Sequence, residues 1–349
     1  MLLGLVVHAE LVLELTRHDF ALRWLYEAIH VFRMPVFFVV GGYLASSLLA
    51  RAGFRGFLLS RMKRVLAPLF AAEAVIALVL IPRGCSVCAG LGSSDWLNVG
   101  WLHLWFLAYL ALIAHGFVLV AWLVARSGFL ARLRVPRFRA GAFVLWAALA
   151  VLVSLCIPGY LNSGDTLRMS LGIVPDLPLL LLFSVFFGFG WLLERAGAEA
   201  LNQWRQAGPA LLVAGVVVYA WYVAAAGSWA QVAYTVAMWA LVLGILGTSL
   251  WVFKKRNRVL DYLSHASYWV YLFHPAFLVL VAVAIRDWSV PSGVEFALLL
   301  IATFGLSVAS YELLARRTII GRFLSGRRRV SRLVPTEQRR AGGRWWLER

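Results

Sequence analysis

A few ionisable side chains interrupt the long apolar stretches of this sequence. His8, Arg33 and His274 lie among aliphatic and aromatic residues, and Arg61 and Arg64 are three positions apart. A histidine can accept or release a proton near neutral pH, whereas an arginine keeps its charge and needs a carboxylate, a ligand anion or water. Guanidinium groups at i and i+3 of a helix share a face and match the oxygens of a phosphate. These residue types favour proton transfer at the histidines and anion binding at the arginine pair.

Several of these residues also have a plain structural explanation. Arg33 lies close to the outer end of its apolar stretch and could extend its side chain to the interface. His103 opens the aromatic segment 103–107, where interfacial residues are common. His274 precedes Pro275, which frees a backbone carbonyl, and such a histidine could simply be satisfied inside a helix bundle. Pairing with an arginine of the same bundle would account for Glu73.

The elements that must position these residues are membrane-spanning helices. Hydrophobic residues make up 62% of the 349 positions and charged residues 14%, whereas a soluble domain is about half apolar and about a quarter charged. We therefore predict an all-α, polytopic membrane helix bundle, and we attribute the net charge of +17 to topology rather than to nucleic-acid binding. The predicted spans are ten, at about 1–15, 28–50, 65–82, 101–125, 140–157, 177–193, 208–226, 230–252, 267–285 and 294–315.

The distribution of basic residues predicts the orientation. Of the 33 lysines and arginines, 27 fall in the connections after even-numbered spans and in the C-terminal tail. Cytoplasmic loops carry this excess, so both ends are predicted to lie in the cytoplasm. On this topology Arg61 and Arg64 could be no more than a topogenic cluster. We predict a transmembrane domain over residues 1–315 and a basic cytoplasmic tail over 316–349, either on anionic lipid or disordered.

Two short segments leave alternatives open. The first span has fifteen residues and reaches only about 22 Å, less than the roughly 30 Å of a hydrocarbon core. We expect that Met1 is an internal methionine or that the start is truncated, and a tilted short helix is the alternative. Cys85 and Cys88 form a lone C-x-x-C in a predicted outside loop, consistent with a disulfide, a redox pair or an incidental spacing. A zinc site is not predicted, because no second pair of ligands accompanies these cysteines.

The candidate residues fall into two layers of the predicted bundle. His8, His30, Arg33 and His103 belong to the outer half, whereas Arg61 and Arg64 lie at the inner face. This separation predicts that a donor is taken from the inside and that the chemistry occurs toward the outside.

Four segments in order resemble the acyltransferase-3 family. They are residues 1–9, residues 30–35 with 37–44, Arg61 to Arg64 leading to Pro68, and residues 103–107; residues 267–275 resemble it again. Within that family, the sequence of these segments most resembles the glucan biosynthesis protein C group, which is associated with succinyl substituents on osmoregulated periplasmic glucans. The family has an arginine about ten residues before the histidine that His8 matches, and this chain starts after that position.

The resemblance implies an O-acyltransferase of the bacterial inner membrane. Such an enzyme moves an acyl group such as succinyl or acetyl from cytoplasmic acyl-CoA to hydroxyls of an extracytoplasmic carbohydrate such as periplasmic glucan. Its partners would be acyl-CoA, the carbohydrate acceptor and membrane lipids, with no nucleic acid and no permanently bound cofactor or metal.

The resemblance also implies roles for individual residues. His8 matches the histidine of the first span, Arg61 and Arg64 the R-x-x-R pair, and Arg33 with Gly42 and Tyr43 the motif of the second span. We expect His8 to act as the general base or as a transient acyl carrier, and Arg61 and Arg64 to bind the phosphates of coenzyme A.

The remaining site residues are expected to act on the substrate. Arg33 or His30 would orient a carboxylated acyl chain or stabilise the oxyanion, and His103, Tyr43 and His274 would bind substrate. Two other classes remain open: a transporter or flippase for a glycan or lipid, and a membrane-interaction subunit.

Overall fold

The computed structural model describes residues 2–13, 20–80, 104–127, 141–157, 161, 174–225, 227–253, 257–316, 318 and 321. Within these ranges the regular elements are helices, and no strand occurs. Their bounds are α1 (Leu2–Leu13), α2 (Phe20–Arg61), a π-helical turn (Met62–Leu66), α3 (Ala67–Leu80), α4 (Trp105–Arg126), α5 (Gly141–Leu155), α6 (Leu177–Ala225), a 3₁₀ turn (Gly227–Trp229), α7 (Ala230–Val252), α8 (Arg258–Ile285), α9 (Ser292–Ser310) and a second π-helical turn (Tyr311–Arg316).

Six of the described helical stretches are long and apolar enough to cross a membrane. They are Tyr26–Ile76, Trp105–Arg126, Leu177–Ala225, Gly227–Val252, Arg258–Ile285 and Ser292–Arg316. Large apolar side chains point outward, as Ile301 (71% exposed) and Leu313 (76% exposed) do on the last of them. A water-facing surface would avoid such side chains, whereas lipid tails accept them. The predicted membrane helix bundle is therefore confirmed as a class.

Helix α6 bends back on itself at Gly197. This residue has φ 82° and ψ −166°, a conformation that glycine adopts without a steric penalty. Phe189 and Trp204 lie on either side of it, and their ring centroids are 5.9 Å apart in an edge-to-face contact. Fifteen residues of straight helix would separate them by about 22 Å. Helix α6 is therefore a hairpin of two antiparallel helices, and its bend falls between the predicted spans 177–193 and 208–226.

Helix α2 bends in the same way at Gly53, which has φ 66° and ψ −178°. Three aromatic contacts with α4 trace its path, with ring centroids 5.1, 5.6 and 6.0 Å apart: Phe38 with Phe106, Phe54 with Trp122, and Phe57 with His115. The contacts move along α4 toward its end and then return, so the chain reverses near Gly53. The predicted connection 51–64 is mostly helical because one glycine suffices for this reversal.

The two bent helices pack against each other through glycines. A Cβ at Gly42 would overlap the carbonyl oxygen of Phe187, and a Cβ at Gly190 would overlap that of Val39. Small residues at such crossings let two backbones approach closely, which strengthens van der Waals packing where lipid removes the hydrophobic drive. Nearby, the Ser46 hydroxyl donates a 2.8 Å hydrogen bond to the Glu194 carboxylate. The crossing of α2 and α6 lies in the main apolar core of the described residues, which includes Val39 and Phe187.

Helix α1 packs on the opposite side, against α2, α8 and α9. Its buried face forms an apolar cluster with α8 and α9 that comprises Leu5, Ala9, Leu278, Val281, Ile285 and Leu299. His8 lies between Leu5 and Ala9 along the chain, so this packing holds it beside α8.

The glycine crossing leads to a stability prediction. We expect Gly42→Ala or Gly190→Ala to lower the free energy of unfolding by about 1–3 kcal/mol, because a methyl group forces the two backbones apart. Thermal unfolding of the purified chain in detergent measures this change.

Gly116→Ala on α4 is the matched control, since a Cβ there meets no atom within 4 Å. Alanine also forms helix better than glycine, so the control should be as stable as the original chain or more so. Equal stability of the control and the Gly190 variant would contradict the close crossing.

Candidate functional site

The tertiary structure brings together two histidines from opposite ends of the sequence. His8 on α1 and His274 on α8 have ring centroids 5.2 Å apart, with the ring planes tilted by 48°. His8 is half-buried, and His274 is 3% exposed. Two imidazoles at this separation are in direct contact and can share a proton or a polar ligand.

A proline sets the orientation of His274. Pro275 has no backbone N–H, so the carbonyl of Tyr271, four residues earlier, loses its helical donor. The Nδ1–H of His274 donates instead to this carbonyl and to that of Val270, both at 2.9 Å. With its proton on Nδ1, a neutral His274 carries a lone pair on Nε2. The His-Pro pair therefore places a proton acceptor, rather than a donor, at the outer edge of this ring.

Arg33 is enclosed in the same region. It is 7% exposed, and its Nε and Nη1 have no hydrogen-bond partner among the described residues. A Cβ at Gly4, one turn before His8 on α1, would lie 3.8 Å from the Arg33 Nη1. The guanidinium group also interacts electrostatically with Tyr271 and His274. Interfacial snorkelling does not describe this side chain, because its charged end is buried against α1.

His30 lies one turn before Arg33 on α2 and is 8% exposed. Its Nδ1–H donates to the Tyr26 carbonyl at 3.1 Å, and its ring packs on the Tyr26 ring with centroids 4.1 Å apart. The Nε2 is buried and has no hydrogen-bond partner among the described residues. We call His8, His30, Arg33 and His274 the outer cluster.

Arg61 and Arg64 lie just before α3, where the backbone makes a π-helical turn over Met62–Leu66. The N–H of Ala67 donates to the carbonyl of Met62, five residues earlier, and such turns are frequent at functional sites. Arg61 is half-buried, with its guanidinium 5.3 Å from the centre of the Phe57 ring, and Arg64 is exposed. The two cations interact electrostatically. A polyanion would relieve their mutual repulsion.

One face of α8 connects the arginine pair to the outer cluster. Tyr268, Tyr271 and His274 recur at intervals of three and form what we call the polar stripe. At one end the Tyr268 hydroxyl donates a 2.8 Å hydrogen bond to the Arg64 carbonyl, and at the other His274 contacts His8. Six residues of helix separate these ends by about 9 Å. The polar stripe therefore runs from the backbone of Arg64 to the outer cluster.

The remaining predicted residues lie elsewhere. Tyr43 is half-buried on α2 near Gly190, ten residues and about 15 Å along the helix from Arg33, at the crossing with α6. His103, Cys85 and Cys88 lie outside the described residues. No three His, Cys, Asp or Glu side chains are grouped for metal binding in the part of the chain that the structure describes.

Tyr268 and Tyr271 were assigned no role from the sequence, although their spacing with His274 carries the signal. Three polar aromatic residues at intervals of three on an otherwise apolar helix indicate one polar face. Their partners on other helices could not be identified from that spacing alone.

Comparison with known proteins adds a family to this geometry. The family described as an acyltransferase domain matches residues 1–312 of the chain. No curated protein and no solved structure matches the chain.

The burial of Arg33 leads to a further stability prediction. Replacing it with methionine removes a desolvated charge while keeping the volume, so we expect Arg33→Met to raise the free energy of unfolding by about 1–4 kcal/mol. Thermal unfolding in detergent, without added ligand, measures the change.

Arg126→Met serves as the control, since Arg126 is exposed and lies 4.2 Å from the Trp122 ring centre. It should change stability by less than about 1 kcal/mol. A clear loss of stability in Arg33→Met would show that an anionic partner holds Arg33 in the absence of ligand.

Proposed function

The chain belongs to the acyltransferase-3 family, and we propose that it moves an acyl group from cytoplasmic acyl-CoA to a hydroxyl of an extracytoplasmic carbohydrate. The family match and the apolar helices establish a multi-pass membrane acyltransferase in general terms. The match also favours this activity over transport of a glycan or lipid.

The observation that carries the proposal is the polar stripe. It runs from the backbone of Arg64, in the arginine pair suited to phosphates, to the histidines suited to proton transfer, and its rise from Tyr268 to His274 is about 9 Å. A thioester attached to a phosphate-bearing arm can therefore reach the histidines while its phosphates stay at the arginines. Such proximity of donor and base is what an acyl transfer between two bound substrates requires.

The arginine pair is proposed to bind the donor. Guanidinium groups form charge-assisted hydrogen bonds with phosphate oxygens, and the exposed position of Arg64 leaves it accessible from the inner face. Tyr268 braces the backbone of Arg64 through its 2.8 Å hydrogen bond. The π-helical turn then presents both side chains to one ligand.

His8 is proposed to act as the general base. As the acceptor hydroxyl attacks the thioester carbon, its proton passes to His8; the carbon–sulfur bond then breaks, and the proton passes on to the thiolate of coenzyme A. An ester and a free thiol result, so atoms and charge balance. His274, with its lone pair on Nε2, can accept a hydrogen bond from His8 and so orient the other nitrogen toward the hydroxyl. Direct transfer is preferred over an acylated His8 because both substrates can meet at this cluster.

The buried guanidinium of Arg33, with His30 beside it, is proposed to stabilise the oxyanion. Negative charge develops on the carbonyl oxygen during attack, and a preorganised cation in a water-poor site stabilises that charge strongly. Nε and Nη1 of Arg33 have no hydrogen-bond partner among the described residues, which leaves donors for the oxyanion.

The finer assignments follow the same proposal. The proposal includes ten passes with both ends inside, a transmembrane domain over 1–315 and a basic tail over 316–349. The bends at Gly53 and Gly197 agree with separate passes on either side of each glycine. The bacterial inner membrane, a succinyl or acetyl group and a periplasmic glucan acceptor remain part of the proposal, as do roles for His103 and Tyr43 in acceptor binding.

The first test concerns the base. We expect His8→Ala to reduce acyl transfer by about 10²- to 10⁴-fold, because attack by a hydroxyl then lacks a proton acceptor. Mass spectrometry of envelope carbohydrates from cells that lack the chain, complemented by each variant, measures the transfer.

His265→Ala is the matched control, since His265 is exposed on the first turns of α8. It should acylate normally at equal protein level. Undiminished acylation by a well-folded His8→Ala variant would rule out His8 as the base.

The second test concerns the donor. We expect Arg61→Gln with Arg64→Gln to raise the KM for acyl-CoA by about 10- to 100-fold, because two charge-assisted phosphate contacts are lost. Thiol release by the purified chain with a carbohydrate acceptor measures KM and kcat separately.

Arg55→Gln is the control, because Arg55 is exposed near the bend of α2. Its kinetics should match those of the original chain. A double variant with an unchanged KM and a reduced kcat would argue against donor binding at this pair.

A further inference from the structure

A buried carboxyl group lies between the arginine pair and the outer cluster. Glu73 is half-buried on α3, and both of its carboxyl oxygens are enclosed without a hydrogen-bond partner among the described residues. It follows Arg64 by nine residues, which places it about 13 Å farther along the helix. The ordinary explanation, an ion pair with an arginine, is not observed in the described part of the chain.

Tyr271 faces this carboxyl group from α8. Tyr271 lies between Tyr268 and His274 on the polar stripe, and its hydroxyl interacts electrostatically with Tyr268, Arg33 and Glu73. Its ring contacts those of Phe106 and His274, with centroids 6.2 and 6.4 Å away. Glu73 and Tyr271 therefore lie along the path from the proposed phosphate site to the proposed reaction site.

The surroundings of these two residues are apolar. Helices α3 and α8 pack there through Leu69, Ala72, Leu272 and Ala276, each 5% exposed or less. A polar group that enters such a place loses its hydration and must find a partner in the protein. A carboxyl group without a partner has the same requirement, at a cost of about 1–3 kcal/mol. A ligand with polar groups would satisfy both needs at once.

We propose that Glu73 and Tyr271 bind the pantetheine arm of the acyl donor. This arm links the phosphates of coenzyme A to the thioester and carries amide groups along its length. The carboxyl group of Glu73 would accept a hydrogen bond from an amide N–H, and the Tyr271 hydroxyl would donate one to an amide carbonyl. The inference rests on the proposed function, since it assumes that the donor is an acyl-CoA whose phosphates lie at Arg61 and Arg64.

These proposed hydrogen bonds would give Glu73 and Tyr271 a role in binding the donor and no role in the chemical step. A linear arm held at its middle cannot swing, so its thioester is presented to His8 in one position. Glu73 and Tyr271 are therefore positioning residues, and their loss should weaken binding of any ligand that carries the arm. Ligands that end at the phosphates should not be affected.

The test compares two probes on the purified full chain in detergent. Coenzyme A carries the arm, whereas adenosine 3′,5′-bisphosphate carries nucleotide phosphates without it. We expect Glu73→Leu and Tyr271→Phe each to raise the Kd for coenzyme A by about 5- to 10-fold, one hydrogen bond each, and to leave the Kd for the bisphosphate within about twofold. Retained bisphosphate binding also shows that each variant is folded.

Two controls are matched to these changes. Glu199→Leu replaces an exposed glutamate of α6, and Tyr262→Phe replaces a tyrosine of α8 that packs against Tyr311 instead of α3. Neither should alter binding of either probe.

The outcomes separate this inference from the proposed function. Unchanged coenzyme A affinity in both variants, or equal losses for both probes, would overturn the assignment of Glu73 and Tyr271 alone. Failure of the original chain to bind coenzyme A at all would contradict the proposed donor and this inference with it.

Discussion

The arrangement of this protein depends on the cost of placing ionisable side chains among apolar helices. A buried arginine, carboxyl group or histidine must be satisfied by the protein or by a ligand, since lipid offers no polar partner. Here Arg33, Glu73, His8 and the backbone of Arg64 interact with the polar stripe of α8. These polar groups are thereby gathered along the polar stripe of α8. The same arrangement brings the candidate site residues together and gives buried polar groups a shared polar environment.

The scaffold that allows this gathering is built from two helical hairpins. The glycine crossing of α2 and α6 lets two backbones touch and packs one half of the bundle tightly. Helices α1, α3, α8 and α9 then complete the other half, where small and aliphatic side chains enclose the polar stripe. Tight packing on one side and a polar interior on the other suit the proposed site, which would hold a flexible donor.

In the proposed function, the polar stripe determines which part of the donor enters the bundle. If the phosphates of the donor remain at Arg61 and Arg64, only its arm has to enter the bundle, and the charged nucleotide never crosses the hydrocarbon region. The acceptor then has to reach the outer cluster from the other side. Burial of Arg33 beside the histidines fits a reaction in which negative charge develops on an oxygen inside the bundle.

Composition and hydropathy were sufficient to predict the helical membrane class. A continuous apolar span can hydrogen-bond all its backbone N–H and C=O groups within itself only as a helix. The sequence also singled out His8, His30, Arg33, His274 and the arginine pair as candidate residues, although it grouped His103 rather than His274 with the outer layer. It could not show that α2 and α6 are single bent helices, since one glycine with a positive φ suffices for each reversal. The contact between His8 and His274, and the electrostatic interaction between Glu73 and Tyr271, join residues that lie far apart in the sequence. Hydrophobic patterning says which face of a helix is inside, and only the packing of all the helices together decides which residues meet there.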